Sequence, residues 1–131
     1  MTFELHPRLA ADTEFVCDWP LCRVLLMKDA RYLWLILVPR RDGLTEITDL
    51  PPQERATLME ETARAGAIIK GAGAVKLNIA ALGNQVPQLH MHVIGRAPGD
   101  PAWPNPVWGR GEATPYDPAL LVQRLASVRS G

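Results

Sequence analysis

The 131-residue sequence predicts a single α+β domain spanning residues 1–131: a mostly antiparallel five-stranded sheet with one long helix and a C-terminal helix. Three observations predict it. Extended segments come as a run of three and then a pair, and a helical pattern follows each group. Pro and Gly punctuate the boundaries between these segments. The length suits one domain, and no linker or internal repeat divides it.

The elements are justified in chain order. Residues 13–19 show mixed alternation until Pro20 interrupts them, and residues 22–27 form a second extended segment. Lys28-Asp29-Ala30-Arg31 reads as a turn. Residues 32–38 are continuous, branched and aromatic, as expected of a strand covered on both faces, and Pro39 and Gly43 end it. Over residues 53–70 the period changes. Leu58, Thr62, Ala65 and Ile69 share a helical face with Met59 and Ile68, while Glu54, Arg55, Glu61 and Arg64 take the other side. Pro51 and Pro52 suit the first turn, and Gly71-Ala72-Gly73 suits the stop.

Alternation returns in residues 75–80, with Val75, Leu77 and Ile79 on one side and Lys76, Asn78 and Ala80 on the other. Residues 88–96 read as the last strand, and residues 97–118, rich in Pro, Gly and Trp, as an irregular but ordered loop. Asp117 caps a final helix with Pro118 at its first position; Leu120, Leu121, Leu125 and Val128 are its apolar side.

Composition narrows the function. Hydrophobic residues make up 47% and charged residues 21%, which excludes a disordered chain. The 14 basic and 14 acidic side chains cancel, so neither a nucleic acid polymer nor an anionic membrane is an expected partner. No run approaches the ~18 apolar residues that span a bilayer, and the first residues lack the pattern of a secretory signal. Cys17 and Cys22 form no zinc or redox motif and read as buried, reduced thiols, from which a cytoplasmic location is expected.

The chemistry concentrates near the last strand. If residues 88–96 are extended, Gln88, His90, His92 and Ile94 share one face, and the two imidazoles stand about 6.5–7 Å apart. Two chemistries suit such a pair. His-x-His can chelate zinc given a third ligand, but His6 is remote and no acid lies within residues 78–96. Alternatively, one neutral imidazole attacks phosphorus while its neighbour stabilises charge. Asn78, Asn84 and Gln85 offer uncharged donors for phosphate oxygens, and Gly83 permits close backbone approach. Trp103 and Trp108 either pack over the sheet, stack on a base or line a dimer contact; Arg96 reads as a solvated strand end or a phosphate contact, and His6 as a surface or capping residue.

Asn78, then Gly83-Asn84-Gln85-Val86-Pro87-Gln88-Leu89-His90-Met91-His92-Val93-Ile94, resembles the histidine triad (HIT) superfamily, whose hallmark is three histidines alternating with apolar residues on a strand. Leu35-Ile36-Leu37-Val38-Pro39-Arg40 resembles the family strand that precedes the helix, and the tail, with Trp103-Pro104 and Trp108-Gly109, resembles that of bacterial HIT-like hydrolases. The resemblance implies a HIT-like fold and a homodimer with one continuous sheet. It implies hydrolysis or transfer of nucleotidyl groups through a covalent nucleotidyl-histidine, on substrates like diadenosine polyphosphates or nucleoside phosphoramidates.

Carried over by position, His90 is the nucleophile and His92 the histidine that contacts phosphate and assists the leaving group. Asn78, Asn84 and Gln85 match phosphate-binding amides. No cofactor or protein-held metal is implied, although a divalent ion can accompany a polyphosphate. The chain departs from the pattern at Gln88, which occupies the first triad position, and at Trp34, where many members carry a further histidine. Two alternatives therefore stand beside the enzyme: a nucleotide-binding protein with weak or no turnover, and a metal-dependent hydrolase using the His-x-His pair.

Overall fold

The computed structural model describes residues 2–131. A short helix α1 (Pro7–Asp12) precedes strands β1 (Thr13–Asp18), β2 (Cys22–Met27) and β3 (Trp34–Pro39). A single 3-10 turn (Ile47–Asp49) then leads into α2 (Pro52–Gly71). Strands β4 (Lys76–Ala80) and β5 (Met91–Arg96) complete the sheet, and α3 (Pro118–Arg129) ends the fold. The five strands lie in the order β1-β2-β3-β5-β4, and every neighbouring pair is antiparallel.

The expected α+β class, strand count and two long helices are all present, and the element boundaries differ from expectation by one or two residues except at β5. That strand begins at Met91, so Gln88, Leu89 and His90 precede it. The Leu89 amide donates to the Leu44 carbonyl at 3.0 Å instead of to a neighbouring strand. Helix α1 had no periodic signal, because six residues are fewer than two turns. His6 does cap it, its Nδ1 accepting from the Arg8 amide at 3.0 Å. Asp117 likewise caps α3, accepting from the Ala119 amide at 3.2 Å.

One sheet face packs against α2 and α3 through Val24, Leu26, Leu35, Leu37, Met91 and Val93, joined by Leu58, Ala65 and Ile69. Gly95 lets α2 settle there: a Cβ at this position would lie 2.6 Å from Ile69 Cγ2. The opposite face carries Leu25, Trp34, Ile36 and Ile94, and is covered by Leu9 of α1 and by Ala102 and Val107 of the long loop. Strand β3 lies between these layers and is buried at all six positions, as its continuous apolar run requires.

Three side chains depart from expectation. Glu61, read as solvent-facing, is buried; its carboxylate accepts from the Leu21 amide at 2.9 Å and the Cys22 amide at 2.8 Å. Met59, read as part of the apolar face, is 64% exposed. Arg96 is neither a solvated strand end nor an open anion contact. It is buried, pairs with Asp100 at 2.7 Å, and donates to Asn78 Oδ1 and the Asn105 carbonyl, each at 2.8 Å. Both thiols are free, but only Cys22 is buried.

The two outer strands differ. In β1 a bulge between Phe15 and Cys17 turns out the Val16 carbonyl, which accepts from Arg129 Nε of α3 at 2.9 Å. Strand β4 is covered less: Lys76 Nζ donates to the Leu77 carbonyl at 2.6 Å, but Val75 beside the strand is 65% exposed and Ile79 within it 50%. Among the described residues, no helix is long and apolar enough to cross a membrane.

Candidate active site

His90 and His92 bracket the first residue of β5, with ring centroids 4.9 Å apart and planes inclined by 66°. Both are buried. Each ring has one nitrogen bonded to a partner of fixed character, and that decides where its proton sits.

His90 Nδ1 lies 2.6 Å from the Gln88 carbonyl oxygen. A carbonyl only accepts, so Nδ1 carries the hydrogen, and in the neutral ring Nε2 keeps a free electron pair. His92 has the reverse assignment. Trp34 Nε1, a donor only, lies 3.0 Å from His92 Nδ1, so that nitrogen accepts and Nε2 carries the hydrogen. Burial, with the adjacent His90 adding to it, pushes the His92 pKa down to about 4, so this ring is neutral at pH 7. The pair therefore presents a lone pair on one ring and an N–H on the other.

Aromatic neighbours hold the second ring. Trp34 lies diagonally across the β3–β5 ladder from His92, with centroids 5.7 Å apart. Trp108, on the loop after β5, meets His92 edge-on at 5.1 Å and Trp34 at 5.8 Å. It lines the cleft and is 36% exposed, so it packs over the sheet and also presents a surface to the cleft.

The cleft in front of the histidines has a volume of about 330 Å³. Leu9, Met27, Ile36, Val86 and Trp108 form its apolar wall, and Gly83, Asn84 and Gln85 its rim. Gly83 has φ +70°, a conformation glycine adopts without strain, and this carries the chain past His90. Arg8 and Asp12 of α1 also reach the cleft and lie 3.7 Å apart. On the other side of His90 is a smaller hollow of about 140 Å³, lined in part by Thr45, Thr48 and Gly83.

Of the six residues singled out from sequence, His90, His92, Asn84 and Gln85 come together around this cleft. Asn78 and Gln88 are engaged elsewhere. Asn78 accepts from Arg96, which ties β4 to the loop that carries Trp108. Gln88 accepts from the His6 amide at 2.8 Å and donates to the Glu4 carbonyl at 2.9 Å, pinning the N-terminal segment ahead of α1. Gln88 thus leaves the expected four-residue face, because the chain bends there before β5 begins, while Ile94 stays on the side of the two rings, packed with Trp34 and Ile36.

Sequence reasoning missed the contributions of α1 and the bond from Trp34 to His92. Pro7 directly after a histidine was a usable signal for α1. No local pattern announces a contact between residues 34 and 92. Among the described residues, no group of three or more His, Cys, Asp or Glu is arranged to hold a metal ion.

The model of the HIT domain matches residues 8–99. The chain belongs to the histidine triad family. HIT proteins form a family of nucleotide hydrolases and transferases, and their substrates are small nucleotides. Solved HIT structures match closely. A histidine triad protein from Bradyrhizobium japonicum is 46% identical, with a TM-score of 0.97 over 99% of this chain and 98% of that one. One from Sinorhizobium meliloti is 45% identical, with a TM-score of 0.94 over 98% and 96% of the two chains. One from Marinobacter aquaeolei is 44% identical, with a TM-score of 0.95 over 99% and 96%. A zinc-bound HIT family protein from Mycobacterium smegmatis, 17% identical with a TM-score of 0.65 over 94% and 87% of the two chains, shares the fold. No curated protein matches the sequence.

Proposed function

We propose that this HIT protein transfers a nucleotidyl group from a nucleoside phosphate derivative to His90 and then to water. The observation that carries this reading is the opposed bonding of the two rings, which leaves His90 Nε2 with its electron pair beside an uncharged N–H donor at His92. His90 Nε2 attacks the α-phosphorus, the bond to the leaving group breaks, and a nucleotidyl-imidazole forms. Water then attacks phosphorus, and the electron pair of the P–N bond returns to Nε2. The Gln88 carbonyl orients the nucleophile and stabilises the positive charge on its ring.

Asn84 and Gln85, on the rim, take phosphate oxygens, and the apolar wall with Trp108 takes the nucleoside. Asn78 and Gln88 act as positioning residues, through Arg96 and through the N-terminal segment. The covalent step calls for no protein-held metal; a divalent ion enters with a polyphosphate substrate. Two free thiols suit a reducing cytoplasm.

The same reading makes the protein a homodimer joined through β4. The exposed apolar side chains on that outer strand, Val75 beside it and Ile79 within it, support it.

Trapping tests the chemistry. Protein mixed with diadenosine triphosphate or adenosine phosphoramidate and quenched in base is expected to carry one adenylyl group on the peptide holding His90. Nucleotide binding without product would make the protein a binding module. Activity lost in chelator and restored by a stoichiometric metal, with no adduct, would favour the His-x-His metal hydrolase.

A further inference from the structure

We propose that Trp34 is a positioning residue that holds His92 as an uncharged Nε2–H donor, and that the cleft therefore favours substrates whose leaving group departs as an anion, phosphoric anhydrides, over those that lose an amine. This inference rests on the nucleotidyl-transfer reading and names the substrate class of that same site.

The geometry carries it. Trp34 Nε1 occupies His92 Nδ1 at 3.0 Å, and an indole nitrogen cannot turn acceptor. A second proton on His92 would have to displace that bond and leave a buried donor unpartnered. It would also charge a ring enclosed by Trp34, Trp108 and His90. The charged groups that share the cleft are Arg8 and Asp12, both of α1 and paired with each other. The low pKa of His92 agrees with this arrangement.

The two substrate classes make different demands. When His90 Nε2 attacks an anhydride, the P–N bond forms as the P–O bond breaks, and the electron pair leaves on the bridging oxygen. That oxygen becomes part of a phosphate anion and requires no proton; a hydrogen bond from His92 Nε2–H suffices. When it attacks a phosphoramidate, the pair leaves on nitrogen, which must acquire a proton to depart as an amine. A neutral imidazole N–H is far too weak an acid to supply one. Trp34 thus selects between leaving groups without touching either.

The test compares diadenosine triphosphate with adenosine phosphoramidate at pH 7 in the wild-type protein and in Trp34→Phe, and reads the His92 tautomer by ¹⁵N NMR. The expected wild-type result is a preference for the anhydride of about 10²-fold or more in kcat/KM. His92 is expected as the Nε2–H tautomer. In Trp34→Phe the preference should shrink through a rise in kcat on the phosphoramidate, with its KM little changed, and His92 should titrate at higher pH. Equal use of the two substrates by the wild-type protein, or a proton on His92 Nδ1, overturns the inference; neither result depends on the variant folding. AMP from neither substrate removes nucleotidyl transfer itself, and the tautomer then still decides whether Trp34 sets His92.

Discussion

His90 Nδ1 and the carbonyl oxygen of Gln88, two residues earlier, stand 2.6 Å apart. This contact lies within one short bend of backbone, so the His90 ring is oriented by the chain that carries it. Replacing the Gln88 side chain leaves the carbonyl in place. On the proposed mechanism, replacing His90 removes the attacking nitrogen. His90→Asn should lower turnover by 10³-fold or more, on the order seen when a nucleophile is lost, with nucleotide affinity nearly unchanged. Steady-state kinetics with calorimetric binding would check it, and turnover within tenfold of wild type would contradict the mechanism.

The His92 ring predicts an acid-sensitive fold. Its pKa is about 4 when folded, against roughly 6.5 unfolded, so between those values the unfolded chain binds the extra proton. Stability is complete above pH 6.5 and falls as pH drops toward 4, by roughly 3 kcal/mol for this one group. Urea unfolding at pH 7, 5.5 and 4.5 should show the decline, and His92→Gln should flatten it. Asp100 acts at lower pH. The Arg96 guanidinium holds its pKa down to about 2, so its share fades only below about 4.

Arg96 anchors the loop that brings Trp108 to the cleft. Its side chain is 1% exposed, and its bonds reach Asp100, Asn78 and Asn105. Arg96→Met leaves Asp100 without its counter-charge and should cost about 3–5 kcal/mol. The same variant should free Trp108, visible as a red shift in tryptophan emission before global unfolding. An unchanged spectrum together with an unchanged melting temperature would refute the role.

Glu61 holds the turn between β1 and β2 from below, its two oxygens on the amides of Leu21 and Cys22. Glu61→Ala strands two buried donors and should destabilise by about 2–4 kcal/mol, measured by denaturant titration. Glu61→Gln keeps one acceptor and should recover part of that loss.

Ile79→Lys tests the pairing through β4. A second cation on this outer strand, in addition to Lys76, opposes strand addition, and the expected species in sedimentation is the monomer. A dimer retained by this variant would place the interface elsewhere.

Much of this was legible in the sequence, and what was hidden has a common physical origin. Strand β3 was readable because burial on both faces demands an unbroken apolar run, and α3 because Asp117-Pro118 is a local capping signal. Leu89, Met91 and Val93, which alternate with the two histidines in the sequence, pack in the core. Glu61 and Met59 were misplaced because helical periodicity knows nothing of what lies opposite: two orphan amides drew in the acid, and Met59 lies on an uncovered side of α2. At the site, the sequence located His90, His92, Asn84 and Gln85, which are close together in the chain. It could not reveal that Trp34 bonds to His92, since 58 residues separate them.

The bulge at Val16 has a consequence for how far copies of this chain can associate. With Arg129 laid across the β1 margin, the Phe15 and Val16 carbonyls on that flank are already taken. A chain adding a strand to that flank has first to displace Arg129, whereas the proposed pairing through β4 meets no such contact from α3. On that reading the pair is closed by symmetry, and a closed pair does not extend into a fibre.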